Sequence, residues 1–267
     1  MYRAFYSLSW EPFSKEIAPE DYFPSRNWSE AKARLQYLVR ARGIGVLVGE
    51  PGSGKTFALR SLAAGLNPAL YRVIYLPLST GTVMDFYRGL AGGLGEEPKF
   101  RKIDLFEQIQ RSVLNLFQER RITPVFILDE MHLASPKFLL DLSILFNFSM
   151  DSLNPFVFVL SGLPFLLNRL GLSQTQSLVQ RVVMRYKMEP LERDEVKGYI
   201  EHYLKLAGAN HTLFTDSAVE AIASNSRGWP RMVNNLAVTA LMLGAQLKVC
   251  PVDEDIVRQA AGELGFC

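Results

Sequence analysis

From Gly43 to about Pro190, short apolar runs rich in β-branched residues alternate with segments whose apolar positions recur at helical spacing. That alternation predicts an α/β fold, a parallel sheet with helices on its faces. The expected strands are Ile44–Val48, Val73–Leu78, Val125–Leu128, Phe156–Leu160 and Met184–Met188. Between the second and third, Asp104–Arg120 places Leu105, Ile109, Val113, Leu116 and Phe117 on one side and Gln, Glu and Arg on the other, an amphipathic helix for the sheet.

Beyond Pro190 the strand signal stops. Helical patterns follow at Glu192–Ala207, Asp216–Ser224 and Pro230–Gln246, with a shorter one at Asp253–Glu263, so a small all-helical domain is expected over residues 191–267 after a core over 31–190. Thr215 and Asp216 read as an N-cap and first turn; Asn225 and Gly228 supply a stop before Pro230 restarts a helix. Residues 1–30, with Pro12, Pro19 and Pro24 among aromatics, read as an extended arm packing on the sheet domain.

The 267 residues suit two modest domains, and 48% apolar with 21% charged residues is the balance of an ordinary globular chain. The longest apolar stretch, Pro155–Leu167, is short of the roughly 20 residues a membrane helix needs and is broken by Ser161, Gly162 and Pro164. No secretory signal is visible at the start, and no membrane partner is expected; the expected compartment is the cytosol. Two cysteines, Cys250 and Cys267, are too few for a disulfide framework or zinc cluster. A net charge of +2 means that any nucleic-acid surface must be a local patch.

The chemistry concentrates at Gly49-Glu50-Pro51-Gly52-Ser53-Gly54-Lys55-Thr56, which matches G-x-x-x-x-G-K-[ST] after an apolar strand and before a helix. In such a P-loop, glycines let backbone N–H groups curl around phosphate oxygens and the helix start adds its positive dipole end. Lys55 then reaches the β/γ-phosphates of ATP, the Thr56 hydroxyl ligates Mg²⁺, and Phe57 continues the nucleotide-contacting run. About seventy residues on, Val125–Leu128 ends in Asp129-Glu130. At the carboxyl end of a parallel strand, Asp129 can hold the Mg²⁺ hydration shell while Glu130 polarises the attacking water.

With these motifs, nearly the whole chain resembles one branch of AAA+ ATPases, comprising ExeA-type secretion ATPases and transposition ATPases of the TniB, TnsC and MuB kind. The resemblance is carried by Phe5-Tyr6-Ser7-Leu8, Pro12-Phe13, the P-loop, Asp129-Glu130, Leu160-Ser161-Gly162 and Gln180-Arg181-Val182. It continues in Glu189-Pro190-Leu191, Tyr199-Ile200, Ala207-Gly208 and Gly228-Trp229-Pro230-Arg231. It implies a RecA-like α/β core with a helical lid, and nucleotide held between protomers of a ring or filament. Gly228–Arg231 matches the sensor-2 motif, which implies that Arg231 contacts the γ-phosphate. Arg181 aligns with the arginine finger acting on a neighbour's ATP, with Arg185 a weaker candidate. The family's polar sensor-1 residue is replaced by Leu163, a role left to Ser161 or a main-chain group.

The role that this resemblance implies first is an oligomeric regulator of transposition that binds duplex DNA with little sequence preference, selects the target and recruits or stimulates a DDE transposase. The alternatives are an ExeA-type secretion-assembly ATPase and a nucleotide-gated scaffold with little turnover. ExeA-type proteins generally carry a membrane span and a cell-wall-binding domain after the ATPase; neither is found in these 267 residues, which turns the expectation toward transposition. In the transposition ATPases, DNA is gripped by loops that correspond here to Ser79–Val83, including Ser79, Thr80 and Thr82, and to Lys99, Arg101 and Lys102. Such residues suit phosphate contact without base readout. Other basic residues lie at Arg111, Arg120 and Arg121, and His132 follows the paired carboxylates.

Overall fold

The computed structural model describes residues 2–77, 82–148 and 152–265. In chain order the elements begin with α1 (Tyr2–Phe5), α2 (Arg26–Ala41), β1 (Gly43–Gly49), α3 (Lys55–Gly65), β2 (Tyr71–Pro77), α4 (Val83–Gly93) and α5 (Lys102–Leu114). Next come β3 (Thr123–Asp129), α6 (Pro136–Leu145), β4 (Val157–Gly162), α7 (Phe165–Leu170), α8 (Gln176–Val179) and β5 (Val182–Met188). The chain finishes with α9 (Arg193–Leu206), α10 (Asp216–Ser226), α11 (Pro230–Leu247) and α12 (Glu254–Glu263). Two compact units result: Glu30–Pro51 with Lys55–Met188, and Met1–Ser29 with Gly52–Gly54 and Glu189–Cys267.

In the first unit the strands form one parallel sheet in the order β2-β3-β4-β1-β5. All five expected strands are present, shifted by a residue or two at their ends; Leu78, expected to close the second, lies outside the described residues. Strands β1 and β4 are buried along their full length and β3 nearly so, while the edge strands β2 and β5 expose part of theirs. This burial explains why the central strands read as continuous apolar runs: both faces are covered. Ile44, Val46, Val48, Phe126, Leu128, Phe158 and Leu160 face a core completed by α4 to α8. Leu47, Val125, Ile127, Val157 and Val159 face the opposite core, closed by α2 and α3. Gly45 lets α2 come close, since a Cβ there would lie 2.3 Å from Leu38 Cδ2.

The helix expected over Asp104–Arg120 is α5 followed by one π-helical turn, Asn115–Glu119. Its apolar residues Leu105, Ile109, Val113 and Leu116 are buried as the periodicity requires.

In the second unit the four expected helices are present. Glu192 and Glu195 form a capping box at α9, and Thr215 and Asp253 cap α10 and α12 through their side chains. Pro230 sits in the first turn of α11. The arm differs from expectation, because residues through Ser29 group with these helices and not with the sheet unit. Tyr6, fully buried, donates its hydroxyl to the Val249 carbonyl at 3.1 Å, and Trp10 Nε1 donates to the Leu206 carbonyl at 3.0 Å. Phe23 packs edge-on against Tyr199, and its N–H donates to the Tyr203 hydroxyl at 3.1 Å. The aromatics were visible in the sequence; the surface that would receive them was not.

Gly244 in α11 makes room for Tyr6, since a Cβ there would lie 2.4 Å from the phenol oxygen and 2.9 Å from Val252 Cγ2. Gly244→Ala is therefore expected to destabilise this unit by about 1–3 kcal/mol through overpacking. Gly262→Ala, where nothing lies within 4 Å, should gain up to about 1 kcal/mol from helix propensity. Urea unfolding of both variants checks the contrast, and equal shifts would refute the packing account.

Candidate active site

Strand β1 ends at Gly49 and α3 begins at Lys55, so the phosphate-loop motif spans the turn between them. Gly52 and Gly54 have φ of +81° and +94°, a conformation available to glycine at little cost. Glu50, Pro51 and Thr56 are exposed, Phe57 is half-buried under the Arg60 guanidinium, and Ser53 is buried. Lys55 is itself buried; its ammonium donates to the carbonyls of Gly49 at 2.7 Å and Glu50 at 3.0 Å. The cation is thus held against the loop at the start of α3, where the helix dipole also favours anions.

Register places the paired carboxylates on the same edge of the sheet. Val46 pairs with Leu160 and Leu160 with Leu128, so the ends of β1, β4 and β3 emerge side by side. With β4 between them, β1 and β3 are about 10 Å apart, two strand spacings. Asp129 is the last residue of β3 and is buried. Its Oδ1 accepts the Glu130 N–H at 3.0 Å and its Oδ2 accepts the Tyr75 hydroxyl at 3.4 Å. Burial, then the Asp129 charge, hold the Tyr75 phenol above its usual range. Tyr75 escaped the sequence reading because only the β2–β3 register, Pro77 opposite Asp129, brings its tip to the carboxylate.

Glu130 turns sharply away in a left-handed conformation, φ +58° and ψ +28°, with its side chain about half exposed. His132 Nδ1 lies 3.3 Å from Glu130 Oε2 and 3.4 Å from the Leu163 N–H nitrogen just past β4. Ser161, fully buried at the end of β4, has no hydrogen-bond partner for its hydroxyl among the described residues, and neither does Ser53. Two orphaned hydroxyls, a buried ammonium and a buried carboxylate fit a phosphate chain carrying a divalent cation. In that chemistry Lys55 neutralises phosphate charge, Thr56 and Asp129 address the cation, and exposed Glu130 is free to meet a water.

Arg231, exposed in the first turn of α11, donates its backbone N–H to the Gly52 carbonyl at 3.3 Å. A Cβ at Gly52 would lie 2.5 Å from Arg231 Cβ. Arg181 donates from Nη1 to the Ser143 carbonyl at 2.8 Å, and Arg185 is exposed on β5.

Of the residues expected to meet DNA, Ser79 and Thr80 lie outside the described residues. The Thr82 hydroxyl is engaged in a capping box with Asp85 at the start of α4. Arg101 makes a two-pronged pair with Asp104 at 2.8 and 2.9 Å, Lys102 pairs with Asp141 at 2.5 Å, and Lys99 is exposed.

Comparison with known proteins agrees with this architecture. The AAA domain family model matches residues 39–170. By structure, the chain is similar to Cdc6p from Pyrobaculum aerophilum, with a TM-score of 0.72 at 19% identity over 94% of this chain and 70% of that one. The fold is that of an AAA+ P-loop NTPase. A Drosophila ORC structure bound to DNA shares the AAA+ fold, with a TM-score of 0.69 at 18% identity over 95% of this chain and 64% of that one. By sequence, the chain is 31% identical over 247 residues to General secretion pathway protein A of Aeromonas hydrophila, spanning 91% of this chain and 44% of that protein.

The left-handed backbone at Glu130 costs stability for any residue with a Cβ. Glu130→Gly is expected to raise the unfolding free energy by about 0.5–1 kcal/mol, read from the denaturation midpoint. A loss of stability would show that the Glu130 side chain contributes more than its backbone costs.

Proposed function

We propose that this chain is a Mg²⁺-dependent ATPase that binds ATP in the Gly49–Thr56 loop and hydrolyses it with Glu130 polarising the water. One observation carries the reading: buried Lys55 opens α3 on the same sheet edge at which buried Asp129 and half-exposed Glu130 leave β3. Here Thr56 and Asp129 hold Mg²⁺, and the loop N–H groups from Gly52 to Phe57 bind phosphate oxygens. Arg231 is the sensor-2 arginine on the γ-phosphate. Arg181 is the finger presented to a second copy in a ring or filament, after releasing the Ser143 carbonyl it holds in this state.

Two partners are consistent with such a motor. The 31% identity to General secretion pathway protein A supports a secretion-assembly ATPase, and we place that role first; because this chain spans 44% of that protein, its length favours neither role. The fold shared with ORC, which is bound to DNA in the Drosophila structure, supports duplex binding; selection of target DNA for a DDE transposase rests on the sequence resemblance alone. Against a strong DNA surface at the start of α5, the charges of Arg101 and Lys102 are each offset by a carboxylate. Among the described residues no helix is long and apolar enough to cross a membrane.

Lys55→Ala should weaken ATP binding at least about tenfold, because the charge-assisted phosphate contact has no substitute. Glu130→Gln should bind ATP with nearly unchanged affinity and lose hydrolysis by about a hundredfold or more. Fluorescent-nucleotide titration and phosphate release measure the two. Unchanged affinity in the first variant, or wild-type turnover in the second, would remove the corresponding role. A wild-type chain that binds ATP without turning it over would support the scaffold reading.

Duplex binding separates the two partners. On the transposition reading, ATP should promote cooperative, salt-sensitive binding to unrelated sequences, and replacing Lys99, Arg101 and Lys102 with Ala should weaken it evenly. No binding by the wild-type chain with ATP at low salt would leave the secretion reading.

A further inference from the structure

The segment from Asp129 to Leu133 carries one more polar group than phosphate and metal chemistry requires. His132 is largely buried, with 15% of its side chain exposed, and its Nδ1 faces two partners of opposite demand. The Leu163 N–H, 3.4 Å away, needs a lone pair; the Glu130 carboxylate, 3.3 Å away, needs a proton. A single ring nitrogen supplies one or the other. The backbone is arranged for this approach, because a Cβ at Gly162 would lie 2.9 Å from the His132 N atom and 3.4 Å from Nδ1. Any larger residue at the end of β4 would push the imidazole away from the Glu130 turn.

We infer that His132 is a positioning residue for Glu130, joining the end of β4 to the water-polarising carboxylate where Leu163 offers no polar side chain. When Nδ1 holds a proton, it donates to the Glu130 carboxylate and holds it where it polarises the water. When Nδ1 holds a lone pair, the ring is anchored by the Leu163 N–H instead and Glu130 loses that support. The group at the Leu163 position that takes part is its main chain, which explains how an aliphatic side chain is tolerated there.

This inference rests on the ATPase reading for its catalytic consequence, but not for the contact itself, and the two are separable. Long-range ¹H–¹⁵N NMR of the full chain resolves three histidines, with His132 assigned from its loss in His132→Asn. Glu130→Ala should move the His132 Nδ1 signal toward the unprotonated position, since only the Leu163 N–H then remains, while His202 and His211 stay fixed. For turnover, His132→Leu should lower kcat at least about tenfold with nucleotide affinity within about twofold. His132→Asn, which keeps a polar atom near the Nδ1 position, should recover turnover to within about threefold of wild type, and His132→Gln, which places it farther out, should not.

Identical His132 shifts in the wild-type and Glu130→Ala proteins would overturn the contact. Wild-type kcat in His132→Leu, or equal rescue by Asn and Gln, would overturn the positioning role. If the wild-type chain hydrolyses no ATP, the ATPase reading fails, and the NMR comparison alone decides whether His132 governs Glu130.

Discussion

The candidate site depends on the placement of β4 between β1 and β3. Had β1 and β3 been direct neighbours, the phosphate loop and the Asp129–Glu130 corner would leave the sheet about 5 Å apart, too close for a phosphate chain and a hydrated cation. The inserted strand doubles that spacing and brings its own end, Ser161 and Gly162, into the gap. Strand β4 can occupy this place because it is apolar on both faces: Val157 and Val159 serve one core, Phe158 and Leu160 the other.

Close approach is bought by small residues at a few points, each with a specific neighbour. Gly45 admits α2 to the sheet, Gly162 admits the Glu130–His132 turn to β4, and Gly244 admits Tyr6 to the helical unit. In each case the space a methyl group would fill is taken by a side chain or a main-chain amide, so the glycine is a packing requirement and not a mark of flexibility. Gly52 adds a second requirement, a left-handed φ, to a close approach by Arg231.

Arg101 and Lys102 are matched by Asp104 and Asp141, and Arg26 reaches both Glu192 and Asp194 at the start of α9. The exposed pairs of Arg101 and Arg26 contribute little to stability, but they lower the positive potential each cation presents. The buried charges behave differently: Lys55 donates to two main-chain carbonyls and Asp129 accepts two hydrogen bonds, so each charge has polar partners where it is buried.

By itself the sequence determined what depends on neighbours along the chain. The five strands, the amphipathic α5 and the caps of α10 and α11 are set by periodicity and by Thr215 and Pro230, and the phosphate loop is legible because all its donors come from one continuous stretch. Tertiary structure decided what depends on register and on distant surfaces. The Tyr75 hydroxyl meets Asp129 only because Pro77 pairs with Asp129, and His132 meets the Leu163 N–H only because β3 and β4 lie side by side. The arm's aromatics found the helical unit and not the sheet because apolar surface is attracted without direction. Hydrophobicity says that Tyr6 and Phe23 must be covered, and only the folded shape of α9 and α11 says by what.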